Sequence, residues 1–424
     1  MSTAQLSTEQ APPISVPFRF FALAPLFLTL AALILANGGD FNDIHTPVML
    51  AALHGITLGF MALVMLGAIQ QILPVVIGST MPATRLVAWF SFLPVTLGTL
   101  SLCGGLLLGE PRFLNLAAWL LGAGFLTFIV AAMISLQRAA ARNTTRTALF
   151  LSVLALTGAM ALGMLLAHGH ASGETLDYGG LAALHMGLGL GGWVMLLIAG
   201  VSFQVVPMFQ LTPNYPQWMS AGLTQAIFAA LLLYVSGYLL KAWPLARIGE
   251  GLFWLLSGSF AVVTLRLQHK RRRRVADATL SFFRLGMASL LCAAAFRLTS
   301  WWVADSEWLT TLAVLTFVLG FALSVIHGML YKIVPFLVWF HLFRGGVTKG
   351  VPNMKEIIPE SWMWRHWWLH LCTLLAVGLA MFWNTAFWLA IFGLAAQGLL
   401  LGAGIYTGIT VYRRILARQE VAAP

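Results

Sequence analysis

The chain has 424 residues, of which 60% are hydrophobic and only 9% charged, and it carries a formal net charge of +11. No soluble globular domain of this length approaches such values, so a lipid bilayer is the solvent for most of it. The positive charge sits at the ends of loops between apolar runs, where membrane orientation and anionic headgroups require it, and this excludes nucleic-acid binding as its explanation.

In chain order, residues 1–17 are polar, rich in Ser, Thr, Gln and Pro, and predict a disordered cytoplasmic tail without a cleavable signal peptide. Apolar runs able to cross about 30 Å of hydrocarbon follow, and because backbone groups cannot stay unpaired there, each must be a helix. They fall near 18–37, 48–77, 86–108, 113–137, 147–168, 182–209, 219–240, 249–267, 277–299, 308–339, 366–385 and 387–412. This predicts an all-α polytopic membrane protein of about twelve transmembrane helices, with a short tail at 416–424. One set of loops holds Arg85, Arg138, Arg142, Arg146, the run from Lys270 to Arg274, Arg344, Lys349, Lys355, Arg413, Arg414 and Arg418. By the positive-inside rule that side is cytoplasmic, which places both termini inside a bacterial inner membrane. Cys103, Cys292 and Cys372 fall within predicted spans without metal-ligand spacing and read as buried small hydrophobes.

A short pattern occurs three times: GAIQQILP ending at Pro74, GVSFQVVP ending at Pro207 and GMLYKIVP ending at Pro335. Each is Gly, three residues, Gln or Lys, two aliphatics and Pro, and the prolines lie about 130 residues apart, room for four spans. The chain therefore reads as three similar four-helix units at 18–146, 147–275 and 276–415, with the motif ending spans two, six and ten. The proline should kink or end its helix, the glycine should admit a close neighbour, and the Gln or Lys can reach carbonyls that the proline frees. The first two copies also open on Leu-His, which makes His54 and His185 equivalent positions.

Three four-helix units with a histidine near the outer end of the second helix and a Gly-to-Pro motif at its inner end resemble subunit I of the heme–copper oxidase superfamily, which includes cytochrome oxidases and nitric oxide reductases. The resemblance implies heme or copper ligation and a place among respiratory or cytochrome subunits. In that family span two supplies a heme ligand and span six the first copper ligand, which correspond to His54 and His185 here. The histidines that the family carries in span seven are absent, as is one at the required depth in span ten, so a complete dioxygen- or nitric oxide-reducing centre is not expected.

Among candidate sites, His54 and His185 are the expected cofactor ligands, since an ionisable group within a span is costly and turns toward a bundle interior and a neutral imidazole suits iron or copper. The alternative is that each satisfies a carbonyl or a neighbouring helix. A second, metal-binding set is His45 beside Asp43 with His168 and His170, whose His-Gly-His spacing can chelate copper or zinc, followed by Glu174. His327 and Tyr331 share a helix face; Lys332 beside them should snorkel to the interface. The stretch WMWRHWWLH, with His366 and His370, reads as an interfacial aromatic belt, and Arg297 should snorkel toward headgroups. The functional expectation is a heme-binding membrane protein acting in electron transfer, nitric oxide response or respiratory-complex assembly. The alternative is a cofactor-free transporter or scaffold that binds a metal or small solute. Hydrolase and transferase motifs are absent.

Overall fold

The structure is a computed structural model that describes residues 11–272, 274–347 and 350–422. Among these residues the chain is helical and has no strand. The long helices are α1 (Ser15–Leu35), α2 (Pro47–Ile77), α3 (Thr84–Leu108), α4 (Pro111–Arg138), α5 (Thr144–Ser172), α6 (Tyr178–Gln210), α7 (Gln217–Leu239), α8 (Trp243–His269), α9 (Ala278–Thr299), α10 (Glu307–Arg344), α11 (Glu360–Ala380) and α12 (Asn384–Ala422). Eleven of the described helices are long and apolar enough to cross a membrane, so this is a multi-pass helical membrane protein. The exception is α11, which has 21 residues but is diluted by Glu360, Arg365, His366 and His370.

Helix ends differ from expectation at both termini. Helix α1 starts at Ser15, inside the stretch read as a tail, and α12 continues through the expected tail at 416–424 as far as Ala422. The first ten residues of the expected N-terminal tail lie outside the described residues, as do the loop cations Arg273 and Lys349. Several starts are locally encoded. Thr46 accepts from the Met49 amide at 3.3 Å ahead of Pro47, Asn143 from Arg146 at 2.9 Å, and Asp177 from Gly180 at 3.0 Å; each satisfies an amide that the helix itself cannot.

The repeated motif has a structural counterpart. Helices α2, α6 and α10 each contain a π-helical segment, at Gly55–Ala62, Gly187–Val194 and Thr316–Ala322. The segments open 12 or 13 residues before Gly67, Gly200 and Gly328, a shared register that independent insertions would not produce. The motif glycines are points of close approach: a side chain would strike Phe20 at Gly67, Ala148 at Gly200, and Phe282 and Thr279 at Gly328. The prolines behave unequally. Helix α2 ends three residues after Pro74 in a further π turn, whereas α10 continues from Pro335 to Arg344. The expectation that the motif Gln or Lys caps freed carbonyls is not met at two positions, since the buried Gln71 amide has no partner and Lys332 pairs with Asp277.

Contacts group the helices differently from the sequential four-helix units. One compact unit consists chiefly of Ala68–Arg274 and Met287–Ala322; the other consists of Pro13–Gly67, Val275–Gly286 and the chain from Leu323 onward. Within the first, α3 packs on α4, α4 on α5, α5 on α6 and α7 on α8. Within the second, α12 packs against α1, α11 and the inner part of α10. Cys103 is buried, but Cys292 and Cys372 are exposed on the helical surface, contrary to the reading of all three as buried.

Candidate functional site

A polar interior of the second unit is built on α11. Its buried residues Met363, His366, His370, Thr373, Ala376 and Val377 recur every three or four positions, a single stripe on a 3.6-residue helix. The opposite face, with Trp368, Leu375 and Leu379, is exposed. In lipid this polarity is natural, because apolar side chains face the solvent and ionisable ones turn inward. His366 and His370 are therefore interior residues, which corrects their reading as an interfacial belt.

Helix α10 brings His327 to the same place. The His327 and His366 ring centroids are 4.5 Å apart, and His327 and His370 are 5.2 Å apart. All three rings are at most 1% exposed. Phe282 of α9 lies against all three, within 5.3 to 5.9 Å, and Phe60 of α2 closes on His327 at 5.4 Å. The close approach at Gly328 admits Phe282 to this position.

The three histidines differ in their bonding. His370 is held at both nitrogens: Nδ1 donates to Gln397 Oε1 at 2.6 Å, which leaves Nε2 to accept from Ser324 Oγ at 2.7 Å. Gln397 in turn donates to Thr373 Oγ1 at 2.9 Å. His366 shares one hydrogen bond, Nδ1 with the Tyr331 hydroxyl at 2.8 Å, and its Nε2 has no partner in either tautomer. His327 has no partner at either nitrogen. A buried donor or acceptor left without a partner costs about 1–3 kcal/mol, so three such nitrogens in one buried interior require an explanation.

Below this centre, Lys332 meets Asp277 at 3.0 Å, so it is paired rather than snorkelling. Asp277 also caps α9, accepting from the Thr279 amide at 3.0 Å and its hydroxyl at 2.7 Å. Burial raises the Asp277 carboxyl, but the Lys332 ammonium and these hydrogen bonds more than offset it and hold the group below its ordinary value of 3.8.

The expected ligands lie elsewhere. His54, in the second unit, donates from Nδ1 to its own helix at Leu50 O, 2.7 Å away. His185, in the first unit, donates from Nδ1 across to Ala159 O of α5 at 2.9 Å, its ring filling the notch at Gly163. Both bonds put the proton on Nδ1 and the lone pair on Nε2. Of the outer histidines, His45 is exposed, with its amide on Asp43. His168 stands 3.8 Å from Glu174, and His170 packs on the Tyr178 ring at 4.4 Å. His168 and His170 lie on a continuous helix, where residues two apart point about 200° from one another, so helical geometry separates the His-Gly-His pair. Among the described residues, no group of three or more His, Cys, Asp or Glu side chains is gathered to hold a metal.

No protein-family model matches the chain, and no curated protein does either. Its functional reading therefore rests on its own residues.

Proposed function

We propose that this chain is a membrane-embedded metal-binding protein in which His327 and His366 hold a transition-metal ion, with copper in its monovalent state the best fit. The observation that carries this reading is the pair of buried imidazoles at 4.5 Å whose nitrogens His327 Nδ1, His327 Nε2 and His366 Nε2 have no partner. Imidazole nitrogen suits copper, iron and zinc. No carboxylate or thiolate is present among the groups that meet there, and burying uncompensated charge in an apolar medium is expensive. A singly charged ion that accepts two neutral ligands is therefore favoured over a divalent one. Tyr331, as acceptor from His366 Nδ1, would orient the ring as carbonyls and carboxylates orient metal-bound histidines. His370, Ser324, Gln397 and Thr373 act as the rigid support.

Such a site fits the wider expectation of a bacterial inner-membrane protein with cytoplasmic termini, related to oxidase subunit I and serving electron transfer, nitric oxide response or respiratory-complex assembly. Heme ligation by His54 or His185 is a second reading, in which the Nδ1–carbonyl bonds would fix the tautomer and orientation of each ring.

The test is metal analysis and visible spectroscopy of protein purified in mild detergent from copper-supplemented cells. About one copper per chain, lost in His327→Leu and His366→Leu and retained in His54→Ala and His185→Ala, supports the first reading. Reduced heme bands lost in the latter pair, with no copper, support the second. Protein free of both metals sinks both readings.

A further inference from the structure

A separate feature of the first unit is used by neither reading. Where α7, α8 and α9 meet, a half-open cavity of about 700 Å³ is lined by Tyr234, Tyr238, Trp243, Arg247 and Trp301, around a half-buried ion pair. Arg297 grips Glu250 with both arms, Nε to Oε1 at 2.7 Å and Nη2 to Oε2 at 3.0 Å, while Nη1 donates to Ser300 Oγ at 2.7 Å. Arg297 is thus locked by Glu250 rather than snorkelling as the sequence suggested. A narrower, apolar space of about 100 Å³ continues from the same Tyr234, Glu250 and Arg297 past Met186, Leu190 and Phe317.

We propose that this cavity binds an amphiphile with an anionic head, a carboxylate or a phosphate, whose apolar portion enters the adjoining space. Both carboxylate oxygens of Glu250 are engaged by Arg297, so the one carboxylate of the lining is already compensated. A guanidinium has five N–H groups, and these contacts use three of those on Arg297. Arg247 adds a second, exposed guanidinium to the lining. Two arginines against one glutamate leave a net positive mouth with donors to spare and an apolar floor, the complement of an anionic head on a hydrocarbon tail. Indole rings at the rim suit the interface where such heads lie.

Photoactivatable probes identify the occupant. The purified full-length protein is exposed to diazirine-bearing phosphatidylglycerol, phosphatidylcholine or palmitate, and labelled peptides are mapped by mass spectrometry. Labelling of the peptides containing Trp243 or Trp301 by an anionic probe should exceed that by the choline lipid by about fivefold or more. Phosphatidylglycerol alone identifies a lipid headgroup as the source, and palmitate alone a free carboxylate; either supports the site. The excess should fall in Arg247→Gln, which leaves only the neutral ion pair, and vanish when Arg247→Gln is combined with Glu250→Gln and Arg297→Gln, which removes every charge from the lining. Equal labelling by all three probes, or an excess that survives the triple variant, overturns it. Copper content should be unchanged in these variants, so the cavity and the histidine centre fail independently.

Discussion

At the scale of single residues, the histidine centre depends on a carboxylate that touches none of the rings. Asp277 joins the first turn of α9, which carries Phe282, to Lys332 of α10, which follows Tyr331. Its carboxyl is held below the ordinary aspartate value, so the folded state binds its proton less readily than the unfolded state. The resulting stability is fully present above the unfolded value and is lost as pH falls through the folded one. Thermal unfolding in detergent should therefore drop from pH 5.5 to pH 3, and Asp277→Asn should flatten that dependence while costing about 2 kcal/mol at neutral pH. An unchanged acid limb in the variant would show that another group controls it. The partners of Asp277 were not legible beforehand, because Lys332 lies 55 positions away and a lysine near a helix end reads equally well as snorkelling. His366 and His370 were legible in principle. With Met363 and Thr373 they form a three-four stripe, but the surrounding tryptophans are equally what a membrane interface selects, and in lipid the decisive face is the polar one.

At the scale of helices, the motif glycine marks a contact point in sequence and structure alike, whereas the π segments have no sequence signal, because nothing in Gly55–Ala62 or Thr316–Ala322 differs in composition from an ordinary apolar helix. Their common register ties the local winding to the repeat rather than to any one neighbour. Gly328 is where this geometry meets the site, since a Cβ there would lie 2.9 Å from both Phe282 Cβ and the Thr279 carbonyl oxygen. The second of these is backbone and cannot swing aside. Gly328→Ala should cost about 1–3 kcal/mol and reduce copper retention by displacing Phe282. Gly104 of α3 is the matched control: a Cβ there meets nothing within 4 Å, so Gly104→Ala should be neutral or stabilising by up to about 1 kcal/mol. Equal losses in the two variants would mean that the effect is helix propensity and not packing against α9.

At the scale of the whole chain, one helix decides the topology. Eleven helices qualify as spans by length and composition among those described, and α11 does not. An odd number of crossings puts the two ends of the chain on opposite sides of the membrane; an even number puts them together. Composition averages over the circumference of a helix, whereas a bilayer tests only the face that it touches. On α11 that face is Trp368, Leu375 and Leu379, while His366, His370 and Thr373 are enclosed by protein, so crossing is the expected outcome in spite of its mean hydropathy. Single cysteines test this in a variant whose native Cys103, Cys292 and Cys372 are replaced by serine. Asn42→Cys, Glu174→Cys and Trp383→Cys should react with a membrane-impermeant maleimide in intact spheroplasts. Ala140→Cys, Asn214→Cys and Arg418→Cys should react only after permeabilisation, in keeping with arginine-rich loops held inside. If Trp383 and Arg418 exchange behaviour while the other four hold, α11 does not cross. The carboxy-terminal end would then lie outside, and the histidine centre would be built from a helix that enters and leaves on one side.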